Sequence, residues 1–117
     1  MKRENILFIR DIIENINLIE KSIIKITEKN FKSNKLLIDA TIRRLEIIGE
    51  AVKNLPIDFI TKYPEVQWKD ISGFRDIMVH GYFEVDLDKV WVVIKEDLPT
   101  LKQQIQKIKK DFESLDK

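Results

Sequence analysis

Six isoleucines in the first quarter of the chain follow a heptad spacing, with separations of 3, 4, 3, 4 and 3 positions. They are Ile9, Ile12, Ile16, Ile19, Ile23 and Ile26. This spacing places all six on one side of an α-helix and predicts a long first helix over residues 4–28. Because Ile13 and Ile24 widen the stripe, the pattern favours a helix packed in a bundle over a two-stranded coiled coil.

A second helix is predicted to begin at an N-cap residue, either Ser33 or Asn34, and to reach about Leu55. Its apolar positions follow a 4, 3, 4, 3 spacing, and one of them is a glycine, Gly49. A glycine in a helix interior costs roughly 1 kcal/mol relative to alanine. We therefore expect Gly49 to permit the close approach of another helix.

The opposite face of the second helix is charged and has the same periodicity. Its members are Asp39, Arg43, Glu46, Glu50 and Lys53. One interpretation is a solvated face with ion pairs between successive turns. The other is that Arg43, Glu46 or Glu50 contacts the residues of a functional site and holds them in position.

Residues 55–67 are the least regular part of the sequence. Pro56 and Pro64 bracket a segment with room for about two short helical turns. We expect the aromatic side chains Phe59, Tyr63 and Trp68 to close the end of the bundle as core residues, and not to form a platform for nucleic-acid bases.

A third helix is predicted over residues 66–80, followed by Gly81 in the left-handed position beyond a helix C-terminus. Asp86 is a suitable N-cap for a fourth helix. Pro99 falls inside the continuing apolar pattern, so the helix should kink or restart near Asp97.

The sum of these patterns is an all-α, four-helix up-and-down-type bundle with one or two short accessory helices, in one domain over residues 1–117. The chain has no cysteine, which excludes disulfides and thiolate metal sites. It has no run of about 18 apolar residues, so we expect no membrane span and a cytoplasmic protein. The net charge of +1 gives no overall signal for nucleic-acid binding. A site for a polyanion would have to be a local patch or be assembled from two subunits.

The segment from Gly73 to Tyr82 differs from the rest of the chain because it concentrates reactive polar groups. It holds the only histidine, His80, together with Arg75 and Asp76. On a regular helix Asp76 and His80 are neighbours at positions i and i+4, so the carboxylate can hold one imidazole nitrogen and set the tautomer. Arg75 and His80 lie about 140° apart around the same helix.

Arginine, histidine and a carboxylate suit the cleavage of RNA phosphodiesters. The 2′-hydroxyl of RNA is the nucleophile, so the protein must supply a base, an acid and a cation. One histidine does not comfortably serve as both base and acid, but a symmetric dimer would bring in a second copy. The alternative is structural, with His80 as a helix cap and Arg75 with Asp76 as a surface ion pair.

The motif Arg75, four residues, His80, one residue, Tyr82 resembles the signature of the HEPN superfamily, and more narrowly that of the HepT-like toxins of HEPN/MNT toxin–antitoxin systems. The similarity continues in the flanking segments at residues 40–51, 63–68, 90–91 and 97–99. It therefore covers nearly the whole chain, and the fold that it implies is HEPN-like.

The resemblance implies a homodimeric toxin that cleaves RNA without a metal or other cofactor, with its active site in a cleft at the dimer interface. Arg75 and His80 would be the catalytic pair, and Asp76 matches the Asn or Asp that commonly follows the arginine. Tyr82 matches the tyrosine that a cognate nucleotidyltransferase antitoxin modifies with AMP. Two alternatives remain: a non-catalytic dimeric partner of a nucleotidyltransferase, and a non-catalytic nucleic-acid binder, against which the near-neutral charge weighs.

Overall fold

The computed structural model describes residues 3–76 and 86–115, and every regular element in these two ranges is helical. The α-helices are α1 (Arg3–Ile23), α2 (Glu28–Ser33), α3 (Lys35–Lys53), α4 (Ile57–Ile60), α5 (Trp68–Ser72), α6 (Leu87–Val92) and α7 (Leu98–Leu115). A 3₁₀-helix, Gly73–Asp76, follows α5, and a π-helical segment, Val93–Asp97, joins α6 to α7. The prediction of an all-α bundle with short accessory helices is confirmed.

The isoleucine stripe of α1 lies in the core as predicted, but the helix is shorter than expected. The five isoleucines from Ile9 to Ile23 are buried, whereas Ile26 is half-buried in a turn. The prediction that the first helix reaches residue 28 is wrong, because Thr27 starts a new helix. Its side chain accepts a hydrogen bond from the Asn30 backbone N–H at 3.1 Å, which caps α2.

The short helix α2 is held to the bundle by one buried ring and one lysine. Phe31 is fully buried, and its ring centroid lies 5.4 Å from that of Trp91. Lys32 forms ion pairs with Glu28 and Asp88, and the hydrogen bonds to Asp88 and then to Glu28 raise its pKa. These contacts tie α2 to α6.

Helix α3 begins where the sequence predicts it, after Asn34. The Asn34 side chain accepts a hydrogen bond from the Leu37 backbone N–H at 3.1 Å. Gly49 is buried on the apolar face of the helix. Helix α3 packs against α1, α5 and the 3₁₀-helix. It is therefore the support on which the segment with Arg75 rests.

An aromatic cluster closes one end of the bundle, as the sequence predicts. The ring centroid of Phe59 lies 5.4 Å from that of Tyr63, 6.2 Å from that of Trp68 and 5.6 Å from that of Phe112. The Trp68 Nε1–H donates a hydrogen bond to the Tyr63 carbonyl at 2.9 Å. Burial, and then the nearby carboxylates, raise the pKa of Tyr63, so its phenol stays neutral in this cluster.

The predicted third helix, residues 66–80, is wrong in its start and in its type of helix. It begins at Trp68, and after Ser72 it tightens into the 3₁₀-helix. A 3₁₀-helix turns about 120° per residue, so the α-helical angle assumed between Arg75 and His80 does not apply over residues 73–76. Residues 77–85, with Gly81, lie outside the described ranges.

The fourth helix has the predicted cap and the predicted interruption. The Asp86 side chain accepts hydrogen bonds from the backbone N–H groups of Asp88 and Lys89. Downstream, the Leu98 N–H bonds to the Val93 carbonyl five residues earlier, which is π-helical spacing. Pro99 has no N–H to donate, and the α-helix restarts beside it, at Leu98, as α7. Helix α7 packs against α1. Within the described ranges, no helix has the length and apolar character to cross a membrane.

Replacing Thr41 with valine is expected to stabilise the fold by about 1 kcal/mol. Thr41 is fully buried in α3, and its hydroxyl oxygen has no hydrogen-bond partner among the described residues. Burial of an unpaired hydroxyl costs free energy that an apolar group of similar shape does not incur. Thr100→Val, on the exposed surface of α7, is the matched control and should change the unfolding free energy by less than about 0.5 kcal/mol. Equal urea midpoints for the two variants would contradict this expectation.

Candidate functional site

The structure places the first part of the Arg75–Tyr82 motif and leaves the second part outside the described ranges. The backbone of Arg75 and Asp76 forms the end of the 3₁₀-helix. His80 and Tyr82 lie outside the described residues. The catalytic roles of Arg75, Asp76 and His80 and the modification of Tyr82 therefore stay predictions.

Position 73, at the start of the 3₁₀-helix, does not require a glycine for steric reasons within the described part of the chain. Its backbone is in the right-handed region, with φ −67° and ψ −16°. Among the described residues, a Cβ atom added there would meet no atom within 4 Å. The described part of the chain therefore leaves room for a side chain at this position.

The three residues predicted to support the site, Arg43, Glu46 and Glu50, line one groove between α1 and α3. The groove has a volume of about 400 Å³. Phe8 and Asp11 complete its wall from α1. The structure thus brings the three predicted residues together, while their action on the motif stays a prediction.

The contribution of α1 to this groove was not predicted from the sequence. Phe8 and Asp11 both lie off the isoleucine stripe, on the side of α1 that turns toward α3. Their spacing of three places them on one face. That signal is present in the sequence, but choosing this face requires knowing where α3 packs.

A second groove adjoins the 3₁₀-helix directly, between α5 and the start of α7. Phe74 of the 3₁₀-helix lines it, and its volume is about 330 Å³. The Gln104 side-chain amide donates a hydrogen bond to the Glu65 carbonyl at 3.1 Å, which ties α7 to the loop before α5. The other apolar residues of the lining are Ile71, Leu98 and Leu101.

Both grooves are acidic. In the groove between α1 and α3, Arg43 stands among three carboxylates, those of Asp11, Glu46 and Glu50. The second groove is lined by Glu65, Asp70 and Asp97, with no lysine or arginine among its described lining residues. Neither groove, as described, attracts an anionic strand. The cation for a phosphate has to come from the motif or from another surface.

The described residues offer no metal centre, since no group of three or more His, Cys, Asp or Glu side chains in residues 3–76 and 86–115 is placed to hold a metal ion. A guanidinium can neutralise a phosphate, and an imidazole can transfer a proton.

Comparison with known proteins identifies the family. The model of the family described as Ribonuclease HepT-like matches residues 12–108. A protein of Methanocaldococcus jannaschii named "Gamma-glutamylcyclotransferase and putative RNase" is 46% identical over 117 residues, which is 100% of this chain and 51% of the relative. A protein of Thermococcus cleftensis named "Probable ribonuclease HepT" is 43% identical over 110 residues, which is 94% of this chain and 100% of the relative.

The chain thus spans about half the length of the first relative and the full length of the second. No solved structure matches the chain at a significant level.

Proposed function

The chain belongs to the HepT-like ribonuclease family, and from this we propose that it is an RNA endonuclease that acts as the toxin of a toxin–antitoxin system. The observation that carries the proposal is the family match over residues 12–108, which contains the whole motif from Arg75 to Tyr82. The names of its relatives support the same class of activity, because both are described as ribonucleases or RNases.

In the proposed reaction the 2′-hydroxyl of RNA attacks the adjacent phosphorus and the bond to the 5′-oxygen breaks. The products are a 2′,3′-cyclic phosphate and a free 5′-hydroxyl. His80 moves the proton at the attacking or leaving oxygen, Arg75 neutralises the crowded phosphate, and Asp76 orients or supports the histidine. This step needs no metal and no cofactor.

The active site is proposed to be composite, at the interface of a homodimer. Each chain has one histidine, whereas the reaction needs both a base and an acid. A two-fold axis beside the motif would place two copies of Arg75 and His80 around one phosphate. The dimer would also gather positive charge that the two acidic grooves lack.

Control of the toxin is proposed to act on Tyr82, two positions after His80. A nucleotidyltransferase antitoxin would transfer AMP to the tyrosine oxygen and release pyrophosphate from ATP. The added group is bulky and anionic, so it would occupy the cleft and repel the RNA backbone. The resemblance of the motif to that of HEPN/MNT systems supports this assignment.

The test is an RNA cleavage assay in the presence of EDTA, with analysis of the 3′ ends. The expected result is cleavage that survives EDTA and leaves cyclic phosphate ends. Pretreatment with the cognate nucleotidyltransferase, ATP and Mg²⁺, before EDTA and RNA are added, should stop cleavage by the wild type but not by a Tyr82→Phe variant. Intact RNA at every protein concentration, with Tyr82 unmodified by mass, would overturn the ribonuclease proposal in favour of a non-catalytic binding partner.

A further inference from the structure

The exposed sides of α1 and α7 form two adjoining grooves that are rich in cations. The grooves have volumes of about 380 and 530 Å³. They share Ile13 and Lys109 in their linings, so they form one continuous surface. We call it the α1/α7 groove. Its basic residues are Arg10, Lys21, Lys107, Lys109 and Lys110.

The positive charge of the α1/α7 groove is largely uncompensated. Against five basic side chains, its described lining contains two carboxylates, Glu14 and Glu113, which leaves an excess of three positive charges. The Lys109 Nζ lies 3.8 Å from a Glu113 carboxylate oxygen, a long ion pair. Lys107 and Lys110 are exposed and make no ion pair with any described residue. These two lysines are therefore available to an external anion.

The near-neutral net charge of the chain conceals this separation of charge. The groove between α1 and α3 and the groove between α5 and α7 together present six carboxylates and one arginine among their described lining residues. The α1/α7 groove has the opposite sign. An anionic strand would be repelled by the first two surfaces and attracted by the third.

The dimensions of the α1/α7 groove suit an extended polyanion. Arg10 and Lys21 are eleven residues apart on α1, so they span about 16 Å along the helix axis at 1.5 Å per residue. The Arg44 guanidinium, from α3, donates a hydrogen bond to the Leu18 carbonyl at 3.3 Å and adds a cation at the groove edge. Asn17 contributes an amide to the lining. Positive charge along a groove, with amide donors between, is suited to a phosphate backbone.

We propose that the α1/α7 groove is an RNA-binding surface. It binds the phosphate backbone of that part of the RNA strand which is not in contact with the Arg75–Tyr82 motif. The choice of RNA as the polyanion rests on the proposed ribonuclease function. Each phosphate neutralised in the groove releases counterions, so binding there weakens as salt rises. The surface recognises charge and spacing, and it carries no base-specific contact.

The test compares two double variants in binding to a 2′-O-methyl RNA oligonucleotide, which lacks the attacking hydroxyl and cannot be cleaved. Lys107→Gln with Lys110→Gln removes two charges from the α1/α7 groove. Lys29→Gln with Lys62→Gln removes two exposed charges elsewhere and is the matched control. Fluorescence anisotropy at several salt concentrations gives the slope of log K against log salt. Removal of two phosphate contacts to a single strand should reduce that slope by about 1.4, and the control should leave it unchanged.

Equal slopes for the two double variants, or no RNA binding by the wild type, would overturn the proposal. Cleavage separates this result from the fate of the ribonuclease function. If a dinucleotide and a long RNA are both cleaved but the slopes are equal, the groove proposal fails alone. If neither RNA is cleaved but the Lys107→Gln, Lys110→Gln variant has a smaller slope of log K against log salt, the groove is an RNA-binding surface and the ribonuclease proposal fails.

Discussion

Replacing His80 with alanine is expected to lower kcat/KM for RNA cleavage by about 10²- to 10⁴-fold, the range that general acid–base catalysis supplies. His80 is the only imidazole of the chain. No second histidine of the same subunit can replace it as a proton carrier near neutral pH. The measurement is the initial rate of cleavage of a fluorescent RNA in the presence of EDTA.

Gly73→Ala is the matched control for His80→Ala, because it changes a residue in the same segment of the chain. A Cβ at Gly73 meets no atom of the described residues within 4 Å, and the backbone there already has the right-handed conformation that alanine prefers. This variant should cleave RNA at close to the wild-type rate. Equal rates for wild type and His80→Ala, with both proteins folded by circular dichroism, would remove His80 from the mechanism.

The composite site makes the same substitution informative in a mixed dimer. If one site uses both copies of His80, a dimer of one wild-type chain and one His80→Ala chain lacks either the base or the acid. Random mixing of equal amounts of the two chains gives about a quarter wild-type dimers and about half mixed dimers, so about a quarter of the wild-type activity should remain. About half of the activity, after verified subunit exchange, would mean that each His80 serves a separate site.

The sequence predicted the fold where one periodic signal dominated. The buried isoleucines of α1 and the caps at Asn34 and Asp86 are all where the residue types place them. The error at the end of α1 has a local cause. Ile26 continues the heptad, but Thr27 offers a cap to Asn30, and that local hydrogen bond prevails over the periodicity.

The surroundings of the site were less predictable than the fold, because they depend on tertiary packing. Arg43, Glu46 and Glu50 share a helix face, so their meeting in one groove follows from spacing. Asp11 joins them only because α1 packs against α3 at a particular rotation. The same holds for the α1/α7 groove, where Lys21 and Lys109 are far apart in sequence and line the same groove.

Phe59→Ala is expected to destabilise the protein by about 3–5 kcal/mol, the usual cost of removing a large buried ring. Phe59 is 3% exposed and is the ring that contacts Tyr63, Trp68 and Phe112. It therefore joins α4 to α5 and α7. Ile57→Ala, in the same short helix but 74% exposed, is the matched control and should cost less than about 0.5 kcal/mol. Urea unfolding gives both values from the midpoint and the slope.

The loss at Phe59 should also reach the motif, because Trp68 begins the helix that leads into Arg75. A 3–5 kcal/mol loss is a large part of the stability of a small domain, so Phe59→Ala can unfold outright. Phe59→Leu keeps an apolar side chain and should remain folded with an intermediate loss. We expect it to cleave RNA more slowly than Ile57→Ala at a temperature where both are folded, since the 3₁₀-helix then rests on a loosened cluster. Equal rates, with Phe59→Leu clearly less stable, would mean that the aromatic cluster stabilises the bundle without positioning Arg75.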